Sequence, residues 1–358
     1  MMRFKDPTLL RILHTMRVEG GQLLSGNDWQ ALLDTEVKDQ QCSAEQPARV
    51  DGWYHTCYVW SVVAMASFME ARESARQAKK TLFYVQAVDI VTNFQVSTPA
   101  AARDIYHALL RVPSLSKTKR LPAFGLFHIG MEVRLTTTLD MPWAVQDATG
   151  TVLEIHWAEH DAAAYQYMSS AAQPGEVLLE QLPLAVLVRL HDCKHVFLPC
   201  EPCSNCLAFT TLCPDCVTKR KELEGMFAVQ PLTRAWKYDG PELEGKYINV
   251  SRRQLPLGPA EVLPLYSMQG MTAEPGLVAH WVLPPRLDSD IKWLIVYVIL
   301  SRVPSLKQLL SVGLSNKIRA IIEGGPPQGI EQTFNTLFAD KIERTHVAAL
   351  EARRQLGW

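Results

Sequence analysis

Apolar positions along this chain follow two periods, and the switch between them divides the sequence. Residues 8–17, TLLRILHTMR, place Leu9, Leu10, Ile12, Leu13 and Met16 on one helical stripe. Gly20 and Gly21 end that helix, and Asn27 is positioned to cap a second short one carrying Trp29, Leu32 and Leu33. The polar stretch 38–52 reads as a loop. Residues 55–80 read as a short strand running into a helix with a charged, solvated tail. TLFYVQAVDIV (81–91) is rich in β-formers and predicts a strand; ARDIYHALL (102–110) predicts a further helix.

From 121 to 157 the texture changes to short β-prone runs broken by Gly, Pro and Asp, with Asp147–Gly150 as a tight connection. That is the pattern of a small antiparallel barrel. LAVLVRL (184–190) adds a strand. Later come a strand ending at YSMQG, an apolar strand WLIVYVIL (293–300), and helices over 305–323 and 338–356. No internal repeat or low-complexity tract occurs.

Composition narrows the class. A chain of 358 residues with 47% apolar and 20% charged residues can bury a sizeable core, as two units or as one unit with large insertions. Formal net charge is −1, so no global basic field exists for nucleic acid. Any such contact must rest on a local patch, and TKRKELEG (218–225) is one. The opening MMRFKDPTLL lacks the layout of a signal peptide, and WLIVYVIL is far shorter than the roughly 20 residues of a membrane span. The expectation is a soluble, intracellular protein with no membrane partner.

Eight cysteines are present, and Cys200, Cys203, Cys206, Cys213 and Cys216 crowd into one short stretch. Cys203-x-x-Cys206 and Cys213-x-x-Cys216 each offer a two-thiolate bite, and together they make a candidate Cys₄ site for Zn²⁺. Their gap is shorter than that of a zinc ribbon, so Cys193, His195 or Cys200 can substitute for a ligand. Reduced surface cysteines and a disulfide framework are the competing readings. The scattered histidines, His55, His128, His156 and His160 among them, read as packing residues. Trp53, Tyr54, Tyr58 and Trp60 read as core first and as a base-stacking surface second. Arg252 and Arg253 read as solvated.

Two short motifs resist a packing explanation. LYSMQGMT and YVILSR each set polar groups directly against apolar runs, and strand ends in α/β sheets are where polar groups meet ligands. Gly270 lets backbone approach a ligand, Gln269 both donates and accepts, and Arg302 presents a fork of donors suited to phosphate oxygens. A turn glutamine and a structural arginine are the plainer reading of each alone.

Taken in order, these motifs resemble the C-terminal portion of Pif1-like helicases, the family shared with Helitron transposons. LPLGPAEVLPLYSMQGMT is similar to the family's motif V, and YVILSRVPSLKQLLSVGL to its motif VI. LPAFGLFHIGMEVRLTTTLD and VQDATGTVLEIHW resemble its SH3-like barrel. DPTLLRILHTMRVEGGQLLSGNDWQALL looks like the stretch after its motif III, and TLFYVQAVD like its Tyr-x-Ser-x-Asp strand.

The resemblance implies an α/β fold. A RecA-like parallel-sheet lobe would be assembled from 1–120 and 250–330, with an SH3-like barrel at 121–192, a cysteine-rich insertion at 193–249 and a C-terminal helix at 331–358. It implies a nuclear protein that binds single-stranded DNA and uses ATP with Mg²⁺, moving 5′ to 3′. Arg302 would reach the γ-phosphate, Gln269, Gly270 and Ser301 would sit beside the nucleotide, and Thr272 and Ser267 would face the DNA.

Three features depart from that pattern, the mildest being Ile299 in place of the small residue of motif VI. Pro264, Leu265, Tyr266, Ser267 and Met268 stand where the family has Thr-x-His-Lys-Ser, which removes a lysine. Nor does the sequence hold a G-x-x-x-x-G-K-[ST] loop or an apolar strand ending in Asp-Glu. It opens about where the family's first RecA lobe would end, so that lobe is expected from a separate chain or a longer parent. The chain alone is expected not to hydrolyse ATP. The alternative reading is a non-catalytic nucleic-acid-binding or assembly module, and a third is a remnant without function.

Overall fold

The computed structural model describes residues 6–37, 53–92, 98–157, 175–179, 181–198, 213–243, 245–333 and 344. Chain contacts separate two units, residues 1–59 with 263–358 and residues 60–262. The first begins with helices α1 (Pro7–Thr15) and α2 (Gly26–Leu33) and strand β1 (Tyr54–Cys57). Asp6 starts α1 by accepting from the amides of Thr8 and Leu9, ahead of Pro7 in the first turn. Its other oxygen accepts from Leu306 N at 2.9 Å, so one carboxylate ties together the two sequence segments of this unit. Leu9, Ile12, Leu13 and Met16 are buried as the stripe predicts, while Leu10 stays exposed. Ser25, rather than Asn27, caps α2 through its hydroxyl to Asp28 N.

The second unit carries α3 (Trp60–Ala78), β2 (Leu82–Gln86), β3 (Val88–Val91), α4 (Pro99–Leu110), β4 (Phe124–Phe127), β5 (Glu132–Leu135), β6 (Thr149–His156), β7 (Glu176–Leu179), β8 (Ala185–Leu190), α5 (Pro214–Glu222), β9 (Met226–Val229), β10 (Leu232–Tyr238), β11 (Ile248–Gln254) and β12 (Leu257–Pro259). The chain then returns to the first unit through β13 (Val262–Pro264), β14 (Leu277–His280), α6 (Ser289–Leu300), β15 (Leu309–Val312), α7 (Asn316–Glu323) and α8 (Gln328–Thr333).

In the first unit one sheet runs β13-β1-β14-β15, with β1, β14 and β15 parallel. Parallel pairing requires crossovers, and α6 supplies the one between β14 and β15. WLIVYVIL is therefore helix and not strand. Burial overrides the β preference of its Ile and Val: Trp293, Ile295, Val296, Ile299 and Leu300 all enter the core, which leaves no amphipathic period to read. Asp290 in the first turn complements the helix dipole. The expected helix over 305–323 begins instead as a single 3₁₀ turn and β15, with α7 following. The helix expected over 338–356 lies outside the described residues apart from Arg344.

The second unit holds the residues of the expected barrel. β12-β5-β6-β8-β9 form an antiparallel sheet with β12 and β9 at its edges, so the described pairings do not close a barrel. Its strands also come from beyond 121–192. β4 pairs instead with β2, in a sheet completed by β7. The stretch 81–91 bends at Ala87 into two strands of different sheets, and residues 60–120 pack with this unit rather than with the parallel sheet. Residues 226–249, expected in a separate cysteine-rich insertion, supply β9, β10 and the start of β11. Trp60 lines an apolar cavity of about 200 Å³ here, together with Phe68 and Phe124.

Arg252 is not solvated. On β11 the inward positions are Ile248, Val250, Arg252 and Gln254, and strand period alone forces the guanidinium inside. Directly across the pairing lies Asp89, and both side chains are fully buried. Arg252 donates through Nε at 2.8 Å and Nη2 at 2.7 Å to the two carboxylate oxygens, and Nη2 also reaches Leu109 O of α4 at 2.9 Å. Trp236 covers the guanidinium face. Removing one partner strands the other charge, so Asp89→Ala should cost about 3–5 kcal/mol, whereas Asp89→Leu with Arg252→Met should recover most of it. Chemical denaturation of the two variants beside the wild type checks this.

His280, at the end of β14, stacks on His55 of β1 at 5.9 Å, and its Nε2 has no hydrogen-bond partner. Burial lowers its pKa from the ordinary 6.5. The unfolded chain therefore takes up a proton at this site before the folded one does. The associated stability is complete above about pH 6.5 and is lost as pH falls toward the lowered value. His280→Gln should flatten the decline of melting temperature between about pH 7.5 and 5.5; an unchanged slope refutes the assignment. Among the described residues no helix is long and apolar enough to cross a membrane.

Candidate functional site

The two motifs meet at the amino edge of the parallel sheet. The first motif follows β13 and the second follows α6, and each precedes a parallel strand. After β13 the chain makes a 3₁₀ turn, Leu265–Met268, then Gln269 and Gly270, and only afterwards enters β14. Ser301 and Arg302 follow α6 and precede β15. The polar groups thus lie where the crossovers deliver the chain to the sheet, at the edge opposite to the carboxyl ends.

Arg302 joins them. Its Nη1 donates to Met268 O at 3.4 Å and to Met271 O at 3.3 Å, bracketing Gln269 and Gly270. Nε donates to Val298 O and Ser301 Oγ at 3.2 Å, and Nη2 donates to Ser301 Oγ at 2.8 Å. Ala273 N donates back to Arg302 O at 2.8 Å. Ser301 is buried and its hydroxyl donates to Val298 O, which holds the last turn of α6 and orients the guanidinium. Arg302 itself is half-buried, Gln269 and Gly270 are exposed, and Ser267 and Thr272 are partly exposed.

Two glycines shape the approach. Gly270 has φ 89° and open space where a Cβ would stand. Gly276, at φ 148°, carries the Trp53 indole so close that a Cβ would lie 2.1 Å from the ring. Its carbonyl accepts from Tyr54 N and so launches β1 beside β14. Gly270→Ala should cost only its backbone strain, about 1 kcal/mol. Gly276→Ala should cost about 3 kcal/mol or more, because overpacking adds to strain. Thermal unfolding of both variants measures the difference, and equal losses would count against this geometry.

Tyr266 is a site residue that motif reading missed. It is 59% exposed on the 3₁₀ turn, and its ring meets Tyr58 at 6.0 Å. Burial around the hydroxyl, then the hydrogen bond with Tyr58, push its pKa up to about 12. Its signal was the aromatic run at 53–60, whose members otherwise pack: Tyr54 and Tyr58 against the core and Trp53 on Gly276.

The cysteine reading reaches the described residues in part. Cys213 is the N-cap residue of α5 and Cys216 is buried one turn on; Cys203 and Cys206 lie outside the described residues. Among the described residues no group of three His, Cys, Asp or Glu side chains is arranged to hold a metal. His195 is occupied in ring packing against Trp143 and Phe197.

No protein-family model matches the chain, and no curated protein matches it. Solved structures do resemble it. Pif1 helicase from Candida albicans is 15% identical, with a TM-score of 0.48, over 94% of this chain and 59% of that one. Bacteroides Pif1 in complex with ADP-AlF3 and single-stranded DNA is 12% identical, with a TM-score of 0.48, over 95% of this chain and 56% of that one. A structure of two coordinating Pif1 helicases at forked double-stranded DNA gives 12% and a TM-score of 0.49, over 95% and 54%. The chain is thus similar to Pif1 helicase structures along nearly its whole length and spans between half and three-fifths of theirs.

Proposed function

We propose that this chain is the second motor lobe of a Pif1-like, ATP-dependent 5′–3′ DNA helicase, able to bind single-stranded DNA and to contribute an arginine to ATP hydrolysis. One observation carries the reading: the guanidinium of Arg302 is bonded across Gln269-Gly270, so motifs distant in sequence share one edge of the parallel sheet.

Its contacts to Met268 and Met271 are long bonds to neutral carbonyls. A phosphate oxygen would offer shorter, charge-assisted bonds, roughly twice as strong, so the fork is suited to exchange loop carbonyls for a nucleotide. When bound, ATP with Mg²⁺ supplies a γ-phosphoryl group on which charge develops, and Arg302 would balance that charge. Ser301 would orient the fork, Gln269 would hydrogen-bond the nucleotide, and Gly270 would let the backbone come close. Ser267 and Thr272, on either side of the turn, would contact the DNA backbone.

The sequence holds no phosphate loop and no Asp-Glu strand end, so the cradle and metal ligands would come from a first lobe, on a separate chain or in a longer parent. A second reading, a non-catalytic nucleic-acid-binding module, is favoured by Pro264–Met268, which lack the lysine of the resembling motif.

Phosphate release measured with single-stranded DNA and Mg-ATP separates the two. Alone, the chain should release phosphate at the buffer rate. With a polypeptide carrying a phosphate-loop lobe it should turn over, and Arg302→Ala should lower that turnover about a thousandfold while DNA affinity holds. Turnover by the chain alone, or full activity of the variant, refutes the motor reading. DNA binding indifferent to ATP in every combination selects the module.

A further inference from the structure

A different surface, wholly within the second unit, has the make-up of a nucleic-acid contact. Trp143 stands in the loop between β5 and β6 and is 46% exposed beside Met141, which is 73% exposed. A tryptophan that packs in a core is not left so open. Yet this one is rigidly held, because its ring lies flat on the His195 imidazole at 5.2 Å and 7°. His195 in turn meets the edge of Phe197 at 4.7 Å, and Phe197 meets Phe227 of β9 at 4.8 Å. The indole is therefore the outer member of a ring ladder rooted in the sheet.

Positive charge lies beside the ladder. His195 O accepts from Gly225 N at 2.9 Å, and Gly225 closes the turn after α5, whose last turn carries Lys219, Arg220 and Lys221. Arg189 Nη2 donates to Glu222 O at 3.2 Å and pins that helix end to β8. Lys219, Arg220, Lys221, Lys194 and Arg189 are all exposed. Among the described residues of 189–194 and 214–224, Asp192, Asp215, Glu222 and Glu224 are acidic; Asp215 lies in the first turn of α5, so the last turn is locally basic on a chain whose formal charge is −1.

We infer that this surface binds single-stranded nucleic acid, with a base stacked on Trp143 and phosphates along the Lys219–Lys221 turn. Stacking accepts any base, and lysine and arginine side chains track the backbone, so the contact is sequence-tolerant. It is independent of Arg302 and of the motor reading. Charge complementarity favours a polyanion, and an exposed, braced indole favours unstacked bases over an acidic peptide.

The test is equilibrium binding of a labelled deoxythymidine oligomer of about 16 nucleotides to the full chain across a salt series. Trp143→Ala should weaken binding about tenfold with the salt slope unchanged, and Trp143→Phe should restore most of it. The combined Lys219→Gln, Arg220→Gln and Lys221→Gln variant should reduce the slope of log K against log salt by about 2. Wild-type affinity and slope in both variants would overturn the proposal, as would competition by polyglutamate equal to that of unlabelled oligomer. Failure of the motor reading would appear in the Arg302→Ala turnover and leave these values unmoved.

Discussion

One guanidinium holds the candidate site together. Arg302 leaves the end of α6 and binds the carbonyls on either side of the Gln269-Gly270 turn, while its own carbonyl receives the amide of Ala273. Hydrogen bonds to a charged group contribute about 1.5–3 kcal/mol net, enough to fix the relation of two loops that no strand ladder joins. The contact is thus structural in the form seen here, and its exchangeable geometry is what makes it suited to a ligand.

The second unit depends on a different use of arginine. Arg252 and Asp89 are fully buried in a cluster of Trp236, Tyr238, Ile248, Val250, Ile105 and Leu109. A pair so placed adds little net stability over an apolar replacement, because desolvation offsets the attraction. What it supplies is register: the cross-strand bond forms only if β11 pairs β3 in this alignment, and the Leu109 contact seats α4 on the same pair. Arg302 remains half-buried at a surface turn whereas Arg252 is closed in, and that difference in access separates a candidate ligand group from a scaffold group.

Taken with the nearly balanced charge of the chain, the two proposed nucleic-acid surfaces share a logic. Neither relies on a broad electrostatic field. The turn around Ser267 and Thr272 offers hydroxyls and backbone, with Tyr266 exposed where the resembling motif has a lysine-bearing segment. The Trp143 ladder offers a π-face with a short basic turn. Stacking makes part of such binding insensitive to salt, in keeping with a chain whose 36 Lys and Arg are balanced by 37 Asp and Glu.

The sequence by itself determined the helical stripe of α1, the strand-then-helix run at 54–78 and the two polar motifs, because each is encoded in neighbouring residues; the turn expected at Asp147–Gly150 lies instead at Gln146 and Asp147, with Thr149 and Gly150 already in β6. It did not determine that WLIVYVIL is helix, since a segment buried on most sides carries no period. Nor did it show that β9 and β12 join the sheet of β5, β6 and β8, since pairing partners lie far apart along the chain. Arg252 looked solvated because its aspartate stands on a strand far earlier in sequence. Only the tertiary structure decided that the arginine after α6 meets the Gln-Gly turn, and that it does so at the amino edge of the sheet. The physical reason is that such a meeting is made by crossovers folding back on a parallel sheet, a non-local event that no local propensity records.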